Sequence, residues 1–71
     1  MIMSKFEQLK EAIDAIPAEY RRIWSTMTRL LDGGQLSTLS TYTKRTRTMA
    51  LHLTSDEALL KPLTTIQELL K

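Results

Sequence analysis

Residues 20–34 read YRRIWSTMTRLLDGG and contain the clearest helix signal in the chain. The apolar side chains of this stretch recur at the i, i+3, i+4 and i+7 positions of one helix face. They are Tyr20, Ile23, Trp24, Met27, Leu30 and Leu31. We expect Trp24 to be the central residue of the core. The sequence Asp32-Gly33-Gly34 then predicts the end of the helix, because glycine readily adopts the left-handed backbone of a C-terminal cap.

The segment before this stretch predicts a shorter helix, from about Lys5 to Ala15. Ser4 and Glu7 have the S-x-x-E spacing of a capping box, in which two side chains satisfy free backbone N–H groups. We expect Pro17 to end this helix or to bend it, because the residue before a proline is pushed out of the helical region. The same proline suits the first turn of the next helix. The apolar face of the first helix consists of Phe6, Leu9, Ile13 and Ile16.

The segment from Ser37 to Leu53 fits two interpretations. Its many threonines favour a strand, in which cationic and apolar residues would alternate with Thr46 and Thr48. Its length favours a helix, because no turn residue interrupts it. We predict a helix, with a β-ribbon as the alternative. The predicted helix has one stripe that consists of Leu39, Tyr42, Thr46, Met49 and Leu53.

Residues 54–71 predict a last helix that a proline disturbs. Thr54 and Glu57 have the spacing of another capping box. Pro62 lacks an N–H and clashes with the carbonyl four residues back, so we expect a kink there or a new helix that begins at Pro62.

This last segment is apolar on more than one face. So small a chain is not expected to cover all of that surface by itself. The surplus predicts a homodimer, since two-fold dimers are the commonest assemblies. The candidate dimer interface consists of Leu59, Leu60, Leu63, Ile66, Leu69 and Leu70.

The composition of the 71 residues indicates one small domain of the all-α class. Valine is absent and leucine dominates the apolar set, which suits helices better than half-buried strands. Without cysteine, the chain can form neither disulfides nor a thiolate-bound zinc site. No apolar run approaches membrane-spanning length or resembles a secretory signal, so we expect a cytoplasmic protein. Together the segments predict an antiparallel bundle of four helices over residues 1–71, kinked at Pro62 and completed by dimerisation.

The charge of the chain is unevenly distributed. Residues 20–55 carry six cations against Asp32 alone, a net charge of +5, whereas both flanking segments are slightly negative. From Gly33 to Ser55 there is no acid. A basic centre of this kind is suited to phosphates, to an acidic partner or to another copy of the chain. The candidate contact residues are Arg22, Arg29, Lys44, Arg45 and Arg47.

The first helix offers these cations a partner within the chain. Glu7, Glu11 and Asp14 are neighbours along one side of that helix. Surface ion pairs contribute only about 0–1 kcal/mol each, but their signs can select which helices lie side by side. As a metal site the same carboxylates are poor, because Lys10 lies among them and no ligand loop follows.

Groups suited to catalysis are scarce. His52 is the single histidine, cysteine is absent, and no serine lies in a G-x-S-x-G turn. A nucleophile would therefore depend on His52 as its base. We expect His52 to lie at or near the surface, and we expect no enzymatic activity, no cofactor and no bound metal.

These observations predict a non-catalytic helical interaction or regulatory module that acts by protein–protein binding, as a homodimer or with an acidic protein partner. The alternative is a small DNA-binding regulator that uses Lys44, Arg45 and Arg47, because cations and hydroxyls together contact phosphates. Nucleic acid is the less favoured partner, because three clustered cations give few phosphate contacts. The candidate face also lacks the Asn and Gln residues that read adenine. No membrane partner is predicted.

Overall fold

In the computed structural model, which describes residues 2–71, the chain forms four α-helices and a short 3₁₀ turn. The elements are α1 (Lys5–Asp14), the 3₁₀ turn (Ala18–Tyr20), α2 (Arg21–Asp32), α3 (Leu36–Leu53) and α4 (Glu57–Leu69). No strand occurs in this part of the chain. The all-α prediction is therefore confirmed, and the β-ribbon alternative for residues 37–53 is wrong.

The four helices enclose one core. Helix α1 packs between α2 and α4, and α3 packs on the other side between the same two helices. The bundle measures 35 × 25 × 21 Å. Its buried apolar residues come from every helix and from the α1–α2 connection. They are Leu9, Ile13, Ile16, Met27, Leu31, Leu39, Ala50, Leu59, Leu60, Leu63 and Ile66.

Local signals set the helix ends. At the start of α1, the Ser4 hydroxyl accepts a hydrogen bond from the Glu7 backbone N–H at 3.2 Å, as the capping box predicts. After α2, Gly34 has φ +70 and its N–H donates to the Leu31 carbonyl, while the N–H of Gln35 donates to the Leu30 carbonyl. This pair of bonds is a Schellman motif, so the glycine stop is confirmed.

The start of α4 differs from the prediction. The N-cap is Asp56, whose carboxylate accepts from the Ala58 N–H at 3.0 Å. Thr54 instead accepts from the N–H of Asp56 at 3.1 Å. The Thr54–Glu57 capping box is therefore wrong: aspartate is a stronger N-cap than threonine, and Asp56 lies closer to the first turn.

Helix α4 continues without a break from Glu57 to Leu69, with Pro62 buried inside it. A new helix beginning at Pro62 is therefore wrong. The kink at this residue stays a prediction.

Three residues placed in the core by their spacing are exposed: Phe6, Met49 at 61% and Leu53 at 78%. Trp24, expected at the centre of the core, is only half-buried, and its indole N–H donates to the carboxylate of Asp14 on α1 at 2.9 Å. Of the predicted α3 stripe only Leu39 is fully buried, and Thr43 and Ala50 complete the buried face of this helix.

Thr43 is fully buried, and its hydroxyl donates to the Leu39 carbonyl one turn back at 2.7 Å. This bond satisfies a hydroxyl that would otherwise be costly inside the core. A threonine therefore occupies a position where the apolar pattern gave no sign of a core residue.

The surplus apolar surface expected on α4 is not there. Leu59, Leu60, Leu63 and Ile66 are all buried within a single chain, while Leu69 and Leu70 are partly buried. Helix α4 is apolar on more than one face because it packs against both α1 and α3. Self-association stays a prediction, but these six residues do not form an exposed interface for it.

Candidate functional site

An apolar groove of about 490 Å³ runs between the first half of α2 and the second half of α3. Its walls are mostly hydrocarbon, with the two tyrosine rings and the threonine methyl groups included. Met49 is 61% and Leu53 is 78% exposed. The lining residues are Tyr20, Ile23, Tyr42, Thr46, Met49, Ala50, Leu53, Thr54 and Leu59.

The unequal lengths of the two helices account for this groove. Helix α3 has 18 residues and α2 has 12, so α2 covers only part of the flank of α3. Thr46 and Ala50 are short side chains one helical turn apart on that flank. The longer Met49 and Leu53 rise beside them, which leaves a channel with an apolar floor.

One end of the groove is held by a hydrogen bond between distant parts of the chain. The Tyr20 hydroxyl donates to the carboxylate of Asp56 at 2.9 Å. This hydrogen bond, followed by desolvation and by the negative charge of Asp56, raises the pKa of Tyr20 above its ordinary value of 10.0. Because Asp56 also caps α4, the residue ties the groove end to the last helix.

The three cations clustered in α3 do not share one face. Consecutive residues of a helix lie about 100° apart around its axis, so Lys44 and Arg45 diverge. Arg47 lies toward α4 and is half-buried, where its Nε donates to the Thr64 hydroxyl at 2.9 Å. Arg45 is exposed one turn before Met49, beside the groove, whereas Lys44 is exposed on the flank that also carries Arg47.

Two further predicted contact residues lie on the outer surface of α2. Arg22 and Arg29 are both exposed. They are seven residues apart, which places them two turns apart along one stripe. Only Arg22 lies beside a lining residue of the groove, Ile23, because Arg29 is in the last turn of α2 and the groove runs along the first half of that helix. The structure therefore brings Arg22 and Arg45 to the rims of one groove and places Arg29, Lys44 and Arg47 elsewhere.

None of these cations is paired within the described residues 2–71. The single ion pair in that range joins Lys71 to Glu68 at 3.1 Å, at the end of the chain. The carboxylates of α1 make no such pair, and Asp14 accepts the indole N–H of Trp24 instead. Pairing of the basic centre with the acidic face of α1 is therefore not observed.

Other parts of the described chain carry fewer features of a site. His52 is exposed near the end of α3. No group of three or more His, Cys, Asp or Glu residues between positions 2 and 71 is arranged to hold a metal ion. None of the helices in the same range is long and apolar enough to cross a membrane. A second groove, of about 660 Å³, lies between α1 and α4 and includes Ala12, Ala15 and Ala58.

No family model, no characterised protein and no solved structure matches this chain.

Proposed function

We propose that this protein is a non-catalytic helical module that binds another protein through the groove between α2 and α3. The observation that carries the proposal is the pairing of strongly exposed Met49 and Leu53 with rim arginines that have no ion partner. Protein interfaces commonly combine an apolar centre with a polar rim in this way, and arginine is enriched in them.

The chemistry of the groove favours binding over catalysis. Its lining offers tyrosine and threonine hydroxyls but no histidine or amine, and the carboxylate that accepts from Tyr20, that of Asp56, raises the pKa of that hydroxyl instead of activating it. The lining is mostly apolar, and exposed apolar patches beside polar rims mark interaction sites.

The positions of the cations favour a protein over nucleic acid. Arg47 is engaged by Thr64, and Lys44 points away from Arg45. The groove rim therefore offers two cations, Arg22 and Arg45, which is too few for firm phosphate binding by a single chain.

The charge of the rim also favours a partner different from the protein itself. A two-fold dimer through this groove would bring the same arginines of both copies together, and like charges across an interface are costly. An acidic protein meets no such repulsion.

Capture from a lysate of the native host, with and without nuclease, tests this function. The informative variant is Met49→Glu, which places a charge in the groove at a position already exposed. Leu51→Glu is its matched control, because Leu51 is 53% exposed on the same helix but faces α4. We expect nuclease-resistant capture of a protein by the wild type and by Leu51→Glu, and its loss in Met49→Glu. Capture that nuclease abolishes, or that Met49→Glu leaves intact, would contradict the proposal.

A further inference from the structure

We infer that the occupant of the groove between α2 and α3 is an acidic amphipathic helix of the partner protein. Its apolar side chains would fill the groove, and its carboxylates would face the rim arginines Arg22 and Arg45. The inference rests on the proposed function and names the class of segment that this site recognises.

The shape of the groove selects a helix. The α3 wall presents Tyr42, Thr46, Met49 and Leu53, which are spaced by three or four residues and span about 17 Å along the axis. A helix of about three turns has the same length and presents apolar anchors at the same i, i+3, i+4 and i+7 spacing. A segment that binds by adding a strand would need a sheet edge, and residues 2–71 contain no strand.

The charge of the walls selects an acidic sequence. Arg22 lies next to Ile23 on the α2 wall, Arg45 lies one turn before Met49 on the α3 wall, and no acid occurs from Gly33 to Ser55. Each wall therefore carries a cation at its rim, and the α3 wall carries no acid. Arginine presents several N–H donors in a fixed fork that fits a carboxylate in a bidentate manner.

The carboxylates near the groove lie at one end of it, and one of them is already hydrogen-bonded within the chain. Glu19 and Asp56 are close enough to Tyr20 to affect its ionisation. The Asp56 carboxylate is already engaged by the Tyr20 hydroxyl and by the Ala58 N–H. The acidic residues of the partner are therefore expected along the middle of the groove, away from Tyr20.

A second copy of this chain fits the groove less well. Its most acidic element is α1, with Glu7, Glu11 and Asp14. The apolar anchors of α1 include Leu9 and Ile13, which are 1% exposed and belong to the core of their own chain. A copy could not insert them without unfolding, so the occupant is assigned to a different protein.

Synthetic peptides titrated into the ¹⁵N-labelled full chain test this inference. The probe is a three-turn helix with leucines at i, i+3, i+4 and i+7 and with glutamates on both flanks. A second peptide carries lysine at each glutamate position, and a third keeps the charges but has a proline at its centre. We expect the first peptide to bind and to shift the amide signals of α2 and α3 around Met49. Its affinity is expected to fall as salt is raised from 50 to 500 mM. The lysine and proline peptides are expected to bind at least tenfold more weakly.

Two charge-reversal variants locate the contact. Arg45→Glu is expected to lower the affinity for the acidic peptide about tenfold, because it replaces an attraction with a repulsion at the rim. Lys44→Glu is the matched control, since the neighbouring residue diverges by about 100° and faces away from the groove. It is expected to change the affinity less than twofold beyond the effect of net charge, which the salt series measures.

The outcomes separate the inference from the proposed function. Equal binding of all three peptides, no binding of the acidic peptide, or shifts confined to the groove between α1 and α4 would overturn the acidic-helix assignment. Equal effects of Arg45→Glu and Lys44→Glu would do the same. If groove-dependent capture from lysate persists in any of these cases, the proposed function stands and only the class of occupant is wrong. If sedimentation shows a dimer that Met49→Glu dissociates, the occupant is a second copy.

Discussion

Two leucines with opposite burial provide a direct test of how this bundle is stabilised. Leu63 of α4 is fully buried, whereas Leu53 at the end of α3 is 78% exposed. Leu63→Ala and Leu53→Ala remove the same atoms, so any difference in stability reflects the environment alone. We expect Leu63→Ala to be strongly destabilising and Leu53→Ala to be almost neutral.

The magnitudes follow from the burial. Removing a fully buried leucine side chain down to alanine costs about 2–5 kcal/mol, because the transfer energy is lost and a cavity remains. Leu53 has about a fifth of its surface covered, so its truncation loses only about 0.3–0.7 kcal/mol of burial. The better helix propensity of alanine offsets part of that loss. A chain of this length has a total stability of about 4–11 kcal/mol, so Leu63→Ala removes a large fraction of it.

Urea denaturation followed by circular dichroism at 222 nm measures both variants. With a slope of about 1 kcal/mol/M for so small a protein, Leu63→Ala is expected to lower the midpoint by about 2 M or more. Leu53→Ala should shift it by less than about 0.7 M. Similar shifts for the two variants would refute the assignment of Leu63 to the core of a single chain. The series is repeated at two protein concentrations, because a midpoint that rises with concentration would show that folding is coupled to self-association.

Three further changes test individual contacts. Tyr20→Phe removes a hydroxyl whose pKa is raised by its hydrogen bond in the folded state. The stabilisation from that bond is complete below the pKa of Tyr20 in the unfolded chain and is lost as the pH rises beyond that value. In urea titrations above about pH 10, the wild type should therefore lose more stability than Tyr20→Phe. Trp24→Phe keeps an aromatic ring but loses the indole hydrogen bond, and calorimetry should show a cost of about 0.5–1.5 kcal/mol, with no cost contradicting the bond. Gly34→Ala should cost about 1–2 kcal/mol because of its positive φ, whereas Gly33→Ala, with φ −82, should change stability by less than about 0.5 kcal/mol. Equal effects of the two glycine substitutions would contradict the Schellman cap.

The helices were predictable because local signals and apolar spacing agree in most of the chain. The capping serine at Ser4, the glycine pair after α2 and the absence of turn residues in α3 each act within one or two turns. The start of α4 was missed because Thr54 and Asp56 are both good caps, and sequence spacing alone does not rank them.

Burial was harder to predict, because it depends on which neighbours each helix acquires. When α4 is considered alone, Leu59 and Leu60 suggest more apolar surface than one chain would cover, but α1 and α3 cover both apolar faces of this helix. Met49 and Leu53 show the opposite error: they were predicted to be buried but are exposed, because they continue the apolar stripe of α3 beyond the end of the shorter α2. The structural reason is the difference in helix length, 18 residues against 12, which leaves part of this flank uncovered.

The groove itself was not predicted, yet one property of its walls was visible in the sequence. The acid-free run drew attention to Lys44, Arg45 and Arg47 as a cluster, but helix geometry places Arg45 on a different flank from the other two, and Thr64 engages Arg47. What the run contributes to the fold is the absence of carboxylates from the whole outer surface of α3. An arginine such as Arg45 can then remain unpaired at the rim of an apolar groove, because no acid of its own helix competes for it. The lack of acids, more than the number of cations, makes this face suited to an acidic partner.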